Sequence, residues 1–169
     1  MPITTTLYRI RAHGPCEPGW KKLLSGLGKT QADDEPLPFA RIVEINGIDD
    51  ALWCCRVEPQ YAKEWRLFAV WCARQVEHLN PDPRVKAAID TAERYAHGDA
   101  TDSELSAAQV GAWLAARDVW DARDARDAAW FATRGAAQDA ARDAAGAVAG
   151  DARVARAAQQ KRFLKIVNA

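Results

Sequence analysis

The sequence predicts an all-α protein, and three observations carry that prediction. Apolar residues recur at three- and four-residue steps from Tyr61 to Leu79, the spacing of one face of a helix. Helix start and stop signals recur along the chain, among them Asp82-Pro83, Gly98 and Thr101-Asp102-Ser103-Glu104. No segment alternates apolar and polar residues in the manner of a half-buried strand. The architecture expected is a compact multi-helix bundle, with short N-terminal helices around a central apolar helix and long Ala-rich C-terminal helices. With 169 residues, the regions 1–100 and 101–169 are expected to pack as one domain.

The elements follow in order. Residues 4–12 (TTTLYRIRA) read as a short helix with threonine caps, stopped by Gly14-Pro15. A second helix is expected over 17–24, where Pro18 is tolerated in the first turn. Residues 25–37, rich in Gly, Pro and charge, read as a loop. Two short helices, 38–45 and 48–57, hinge at Asn46-Gly47. Residues 60–79 form the central helix: Tyr61, Trp65, Phe68, Cys72, Val76 and Leu79 make its stripe, and Leu67 and Trp71 widen it. Lys63, Arg66, Arg74 and Glu77 line the opposite edge. The next helix opens with Asp82 as N-cap and Pro83 at the first helical position. It buries Val85, Ala88, Ile89 and Ala92, and ends at Gly98. The capping box at 101–104 opens a helical region that runs to about Gly146 with Gly135 inside it. Whether this is one helix or a folded-back hairpin stays open. Gly150-Asp151 marks a stop and restart, and Phe163, Ile166 and Val167 stand at core spacing in the last helix.

Charge narrows function. Lys+Arg and Asp+Glu are both 23, so neither the basic excess of a DNA binder nor the acidic excess of a DNA mimic is present. The N-terminus, MPITTTLYRI, lacks a basic region followed by an apolar core, and no uncharged run is as long as a membrane span. Cys16, Cys54, Cys55 and Cys72 show no disulfide spacing. Free thiols in a reducing cytoplasm are therefore expected.

The segment DVWDARDARDAAWFATRGAAQDAARDAAG, residues 118–146, is the distinctive part of the chain. Between 112 and 158 the arginines (117, 123, 126, 134, 142, 153, 156) and the aspartates (118, 121, 124, 127, 139, 143, 151) balance. Such a surface steers neither a polyanion nor a polycation. At about 100° per residue, Trp113, Trp120 and Phe131 fall on nearly one line, which also passes Asp124, with Asp127 close by. Two acids interrupt an otherwise apolar seam. Either the helix leaves the core here, or the seam is a partner surface with aromatic anchors and acidic specificity contacts. Under the second reading the binding residues are Trp113, Trp120, Asp124, Asp127, Trp130 and Phe131. The alanines also suit close helix approach, and hence a homodimer.

Several motifs tempt and fail. "GLGKT" (26–30) resembles the end of a phosphate-binding loop, but position 23 is Leu where that loop needs Gly, and a helix precedes it. Cys16 near His13 at a helix start could favour a thiolate, but no third group orients the pair. Cys54-Cys55 is not a chelating pair, and His13, His78 and His97 are scattered, so no metal or cofactor is expected. Asp49-Asp50 and Asp33-Asp34-Glu35 read as caps and solvated loop acids. Trp53, Trp65 and Trp71 read as core, while Trp20 is left open.

The order "GPCEPG" (14–19), "NGIDDALWCCRV" (46–57), "RLFAVWCARQVEHL" (66–79), "DPRVKAAIDTAERYAHGDATDSEL" (82–105) and the Ala/Arg/Asp/Trp-rich tail resembles a group of helical proteins of bacteria and their phages. It is similar, more loosely, to Imm-5-like immunity proteins. That resemblance implies a non-enzymatic helical protein acting in conflict between bacteria, toxins and phages, and it transfers no functional residue. The function expected is inhibition by binding: an immunity or anti-defence (anti-CRISPR-like) protein that occludes an effector or toxin. The alternative is a nucleic-acid-associated phage or regulatory protein with a local basic patch, at Lys21, Lys22 and Lys29 or at Lys161, Arg162 and Lys165.

Overall fold

The computed structural model describes residues 1–79, 82–118 and 152–169. These are mostly helical, as expected: α1 (Leu7–Ala12), α2 (Glu17–Gly26), α3 (Phe39–Asn46), α4 (Ile48–Cys54), α5 (Ala62–Val76), α6 (Pro83–His97), α7 (Asp102–Asp118) and α8 (Ala152–Val167). Short 3₁₀ turns flank α5 at Pro59–Tyr61 and Glu77–Leu79, and a third follows α4 at Cys55–Val57. They trim the helices expected over 60–79 and 48–57.

One feature departs from the expected class. Thr4–Thr5 (β1) pairs antiparallel with Leu37–Pro38 (β2), Thr4 opposite Pro38 and Thr5 opposite Leu37. A two-residue strand is too short to show alternation, so periodicity could not announce it. The helix start shifts accordingly. Thr6 caps α1, its side chain accepting from the Arg9 N–H at 3.2 Å.

The chain divides into two compact units: Met1–Pro59 with Gln160–Ala169, and Gln60–Gln159. In the first, Leu7, Ile10, Leu23, Phe39, Ile42, Leu52 and Val57 are buried together with Phe163 and Val167 of α8. Phe39 and Phe163 meet edge to face, ring centres 6.3 Å apart, a geometry that adds to their area burial. Ile3 N–H donates to the Val167 carbonyl at 2.7 Å, and the terminal ammonium of Met1 to the Ala169 carbonyl at 2.9 Å. Gly26 lets α2 approach α3: a Cβ there would lie 2.4 Å from Ile45 Cγ2.

In the second unit α5, α6 and α7 share a core of Val70, Ala73, Val76, Val85, Ile89, Ala92, Leu105 and Ala115. The local signals behave as read. Asp82 accepts from the Arg84 N–H at 2.8 Å, and Gly98 takes the left-handed conformation at φ 85°. Small residues at the contact (Ala88 and Ala92 in α6, Ala112 and Ala115 in α7) are all buried, which suits close packing of two helices. Outside this core Arg74 joins α5 to α6, donating to Glu77 at 2.8 Å, Asp90 at 2.6 Å and Glu93 at 2.8 Å.

Candidate interaction surface

Of the residues expected to bind a partner, Trp113 lies in α7, and its side chain falls outside the described residues. Trp120, Asp124, Asp127, Trp130 and Phe131 all lie outside them. The candidate surface is therefore built from the described part of α7. Its start is held firmly. Thr101 Oγ1 accepts from the Glu104 N–H at 3.2 Å, and Glu104 Oε2 accepts from the Thr101 N–H at 2.7 Å, the reciprocal bonds of a capping box. Arg94 donates to Glu104 at 2.9 Å, and the Tyr95 hydroxyl to Asp102 at 2.7 Å. The Thr101 N–H foremost, with Arg94 and the Thr101 hydroxyl, holds the Glu104 carboxyl down at about 2.

From that start the helix buries Leu105, Ala112 and Ala115. At about 100° per residue the opposite face carries 103, 106, 107 and 110. Ser103, Ser106, Ala107 and Val110 are all exposed, Val110 by 57%. Position 113 follows Val110 by three residues, on the adjacent part of that face. An exposed valine in the middle of a helix's outer face is apolar area left to water, and it leads in register to the first of the expected anchors.

The other candidates take definite places. Cys16 is exposed, whereas Cys54, Cys55 and Cys72 are buried; burial pushes the Cys54 and Cys72 thiols up to about 12 and that of Cys55 well above its ordinary value. His13 turns back onto α1: its Nδ1–H donates to the Arg9 carbonyl at 2.9 Å. Among the described residues no three His, Cys, Asp or Glu side chains are grouped to hold a metal ion, and no helix is long and apolar enough to cross a membrane.

In "GLGKT", Gly26 closes α2 and Lys29 turns onto two acids. Its ammonium lies 2.5 Å from both Asp33 Oδ2 and Glu35 Oε2. Those hydrogen bonds raise the Lys29 pKa, and the bond from Lys29 lowers that of Asp33. A lysine so engaged does not offer itself to a phosphate. Lys21 pairs with Glu17 at 3.3 Å, and Lys22 reaches the Asn46 carbonyl at 3.5 Å, so two lysines of this expected basic patch, Lys21 and Lys29, have acidic partners within the fold. Lys29, Asp33, Glu35 and Arg41 also line a cleft of about 360 Å³ in the first unit, whose apolar walls are Leu7, Leu27, Pro36, Leu37 and Pro38.

The tryptophans differ in burial. Trp20 is buried beneath the Arg11 guanidinium, 5.4 Å from its ring centre. Trp53, read as core, is half-buried with Arg56 over its ring at 4.8 Å. Trp65 is buried, and Trp71 is half-buried against Phe68. One charged residue escaped sequence reasoning. The Glu58 side chain is fully buried, its Oε2 2.8 Å from Arg9 Nη1. No protein-family signature, curated protein or solved structure matches the chain.

Proposed function

We propose that this chain is a non-enzymatic inhibitor that acts by binding: an immunity or anti-defence protein of the anti-CRISPR kind, which occludes a toxin or effector protein of bacterial or phage conflict. The observation that carries the reading is the outer face of α7. Val110 stands 57% exposed there, on a helix anchored by its capping box and in register with Trp113. Aromatic anchors beside apolar area are the usual centre of a protein–protein contact, and the acids Asp124 and Asp127 would supply specificity at its rim. The engagement of Lys21, Lys22 and Lys29 by groups of the same fold favours a protein over a nucleic acid.

A second reading keeps one supporting observation. Lys161 and Lys165 are exposed one turn apart on α8, a small cationic stripe that a nucleic acid would meet. A tagged pull-down from a bacterial lysate, with and without nuclease, separates the two. One stoichiometric protein that survives nuclease and is lost with Val110→Asp or Trp120→Ala supports the inhibitor. Recovery only with nucleic acid present supports the second reading, and a second copy of the chain as the sole protein recovered points to a homodimer.

A further inference from the structure

Charge is divided unevenly along the chain. All 23 acidic residues precede residue 152, whereas Arg153, Arg156, Lys161, Arg162 and Lys165 follow it, so α8 carries cations and no acid. Elsewhere the fold pairs cations with its own carboxylates, as Arg9 with Glu58, Lys29 with Asp33, Arg41 with Glu44 and Arg94 with Glu104. Toward the end of α8 this pairing stops. Lys161, Arg162 and Lys165 have no ion-pair partner among the described residues, and Arg162 Nε is buried with no hydrogen-bond acceptor. A buried donor without an acceptor is unfavourable, so the guanidinium gains by turning to an oxyanion. At about 100° per residue the three cations lie within about 100° of helix surface, opposite the buried Phe163 and Val167. Lys165 also suits the negative end of the helix dipole, but that effect fades beyond the last turn and leaves Lys161 unexplained. A basic segment set against an otherwise acidic chain is the pattern of a contact with a polyanion.

We propose that Lys161, Arg162 and Lys165 form a stripe that binds the phosphate backbone of a nucleic acid without reading its sequence; the proposal rests on the second reading above and gives it a site. The composition of the face selects this polyanion over others. The exposed Gln160 and Asn168 flank the lysines, and Lys, Arg, Gln and Asn are side chains that hold phosphate oxygens without carrying sequence information. A protein contact is centred on a large buried anchor, and the exposed residues between 160 and 169 include no aromatic or large aliphatic side chain. A helix lying on anionic lipid inserts its apolar face, but Phe163 and Val167 are already buried in the core of the first unit. The zero net charge of the whole chain gives little long-range attraction. Local contacts therefore set the affinity, and salt should weaken it steeply.

The test is fluorescence anisotropy of the full chain with a labelled mixed-sequence DNA duplex of about 20 base pairs, titrated from about 20 mM salt upward. Three phosphate contacts predict a slope of log Kobs against log salt of about −2.7, at about −0.9 for each contact. Lys161→Gln and Lys165→Gln should each reduce that slope by about 0.9, while Lys21→Gln and Lys22→Gln leave it unchanged. Both α8 lysines are exposed, so these variants carry the test if the half-buried Arg162 does not tolerate replacement. A duplex of scrambled sequence should bind equally. Four results overturn the stripe: a slope unmoved by the α8 variants, tenfold preference for one sequence, poly-glutamate binding as tightly as the duplex, or phosphatidylserine vesicles doing so. A slope moved by Lys21→Gln or Lys22→Gln and not by the α8 variants overturns the stripe and leaves the second reading standing on another surface. No duplex bound at the lowest salt removes both. Val110→Asp should leave duplex binding unchanged, so loss of a captured protein by that variant bears on the inhibitor reading alone.

Discussion

Replacing Arg9 by methionine removes the counter-charge of a carboxylate that is shut away from water. Glu58 has a side-chain exposure of 0%, and its Oε2 lies 2.8 Å from Arg9 Nη1. Arg9 Nη2 also donates to the Val57 carbonyl at 3.0 Å, tying α1 to the turn after α4. Methionine keeps much of the arginine's apolar body but none of these bonds. Removing one partner of a fully buried pair costs about 3–5 kcal/mol, whereas a fully exposed pair is worth about 0–1 kcal/mol. This pair straddles the two limits. Arg9 is 46% exposed, so water can approach the vacated site, and Glu58 keeps contacts beyond Arg9. The expected loss is therefore about 2–3 kcal/mol, a large share of the roughly 5–15 kcal/mol typical of a domain. Urea unfolding with the midpoint and slope fitted separately measures it. The double variant Arg9→Met, Glu58→Leu should recover most of the loss, because it removes the buried charge as well as its partner. A loss under about 0.5 kcal/mol in the single variant, or a double variant no better than the single, would refute this account of the pair.

Three further outcomes are expected. Gly26→Ala places a methyl 2.4 Å from Ile45 Cγ2; overpacking at about 1–3 kcal/mol outweighs a helix-propensity gain of about 1 kcal/mol. Thermal melts should show net destabilisation that Ile45→Ala relieves. Because the folded pKa of Glu104 is depressed, its contribution to the α7 cap is complete above the ordinary 4.5 and is lost as pH falls toward about 2. The carboxylate accepts from the Thr101 N–H, so protection of that amide relative to its intrinsic exchange rate should fall across that window, and Glu104→Gln should flatten the fall; a wild-type protection flat from pH 5 to 2 would contradict the cap. At neutral pH a thiol reagent should label Cys16 and spare Cys54, Cys55 and Cys72, which lie buried, while all four react in denaturant. Rapid native labelling that survives Cys16→Ala would mean that the buried thiols open to solvent.

What was legible in the sequence was local. The helix from Asp82 to Gly98 and the capping box at Thr101–Glu104 stand where their residues placed them, because cap, proline and left-handed glycine act within a few positions. The β1–β2 ladder was not legible, since its strands are two residues each and lie far apart in the chain. Trp20, left open by the sequence, is buried, and Trp53, read as core, is only half-buried, for a related reason: helical spacing marks a face, but only tertiary packing decides which face is covered. Burial of Glu58 had a faint signal in "CCRVEP", where one acid sits among apolar residues beside Pro59. Its partner Arg9 lies on another helix, and nothing local links them. The clasp on Lys29 was not legible, because residues 29–35 lie in a loop, where spacing does not say which side chains meet. Of the expected binding surface, Trp113 alone falls on a described element, so the surface rests on Val110, a residue that single-residue reading passed over.

The first unit is assembled from two stretches of chain, 1–59 and 160–169, with the whole of the second unit encoded between them. Phe163 and Val167 are fully buried members of the first unit's core. During synthesis, which runs at about 5–20 residues per second, the early stretch emerges with a hole where those two side chains belong. It waits for the ribosome to translate the intervening 60–159 before that hole can be filled. Contacts of such long sequence separation are slow to form. The core shared by α5, α6 and α7, which follow one another in sequence, can therefore form first, and the stretch that begins the chain is the one that finishes last.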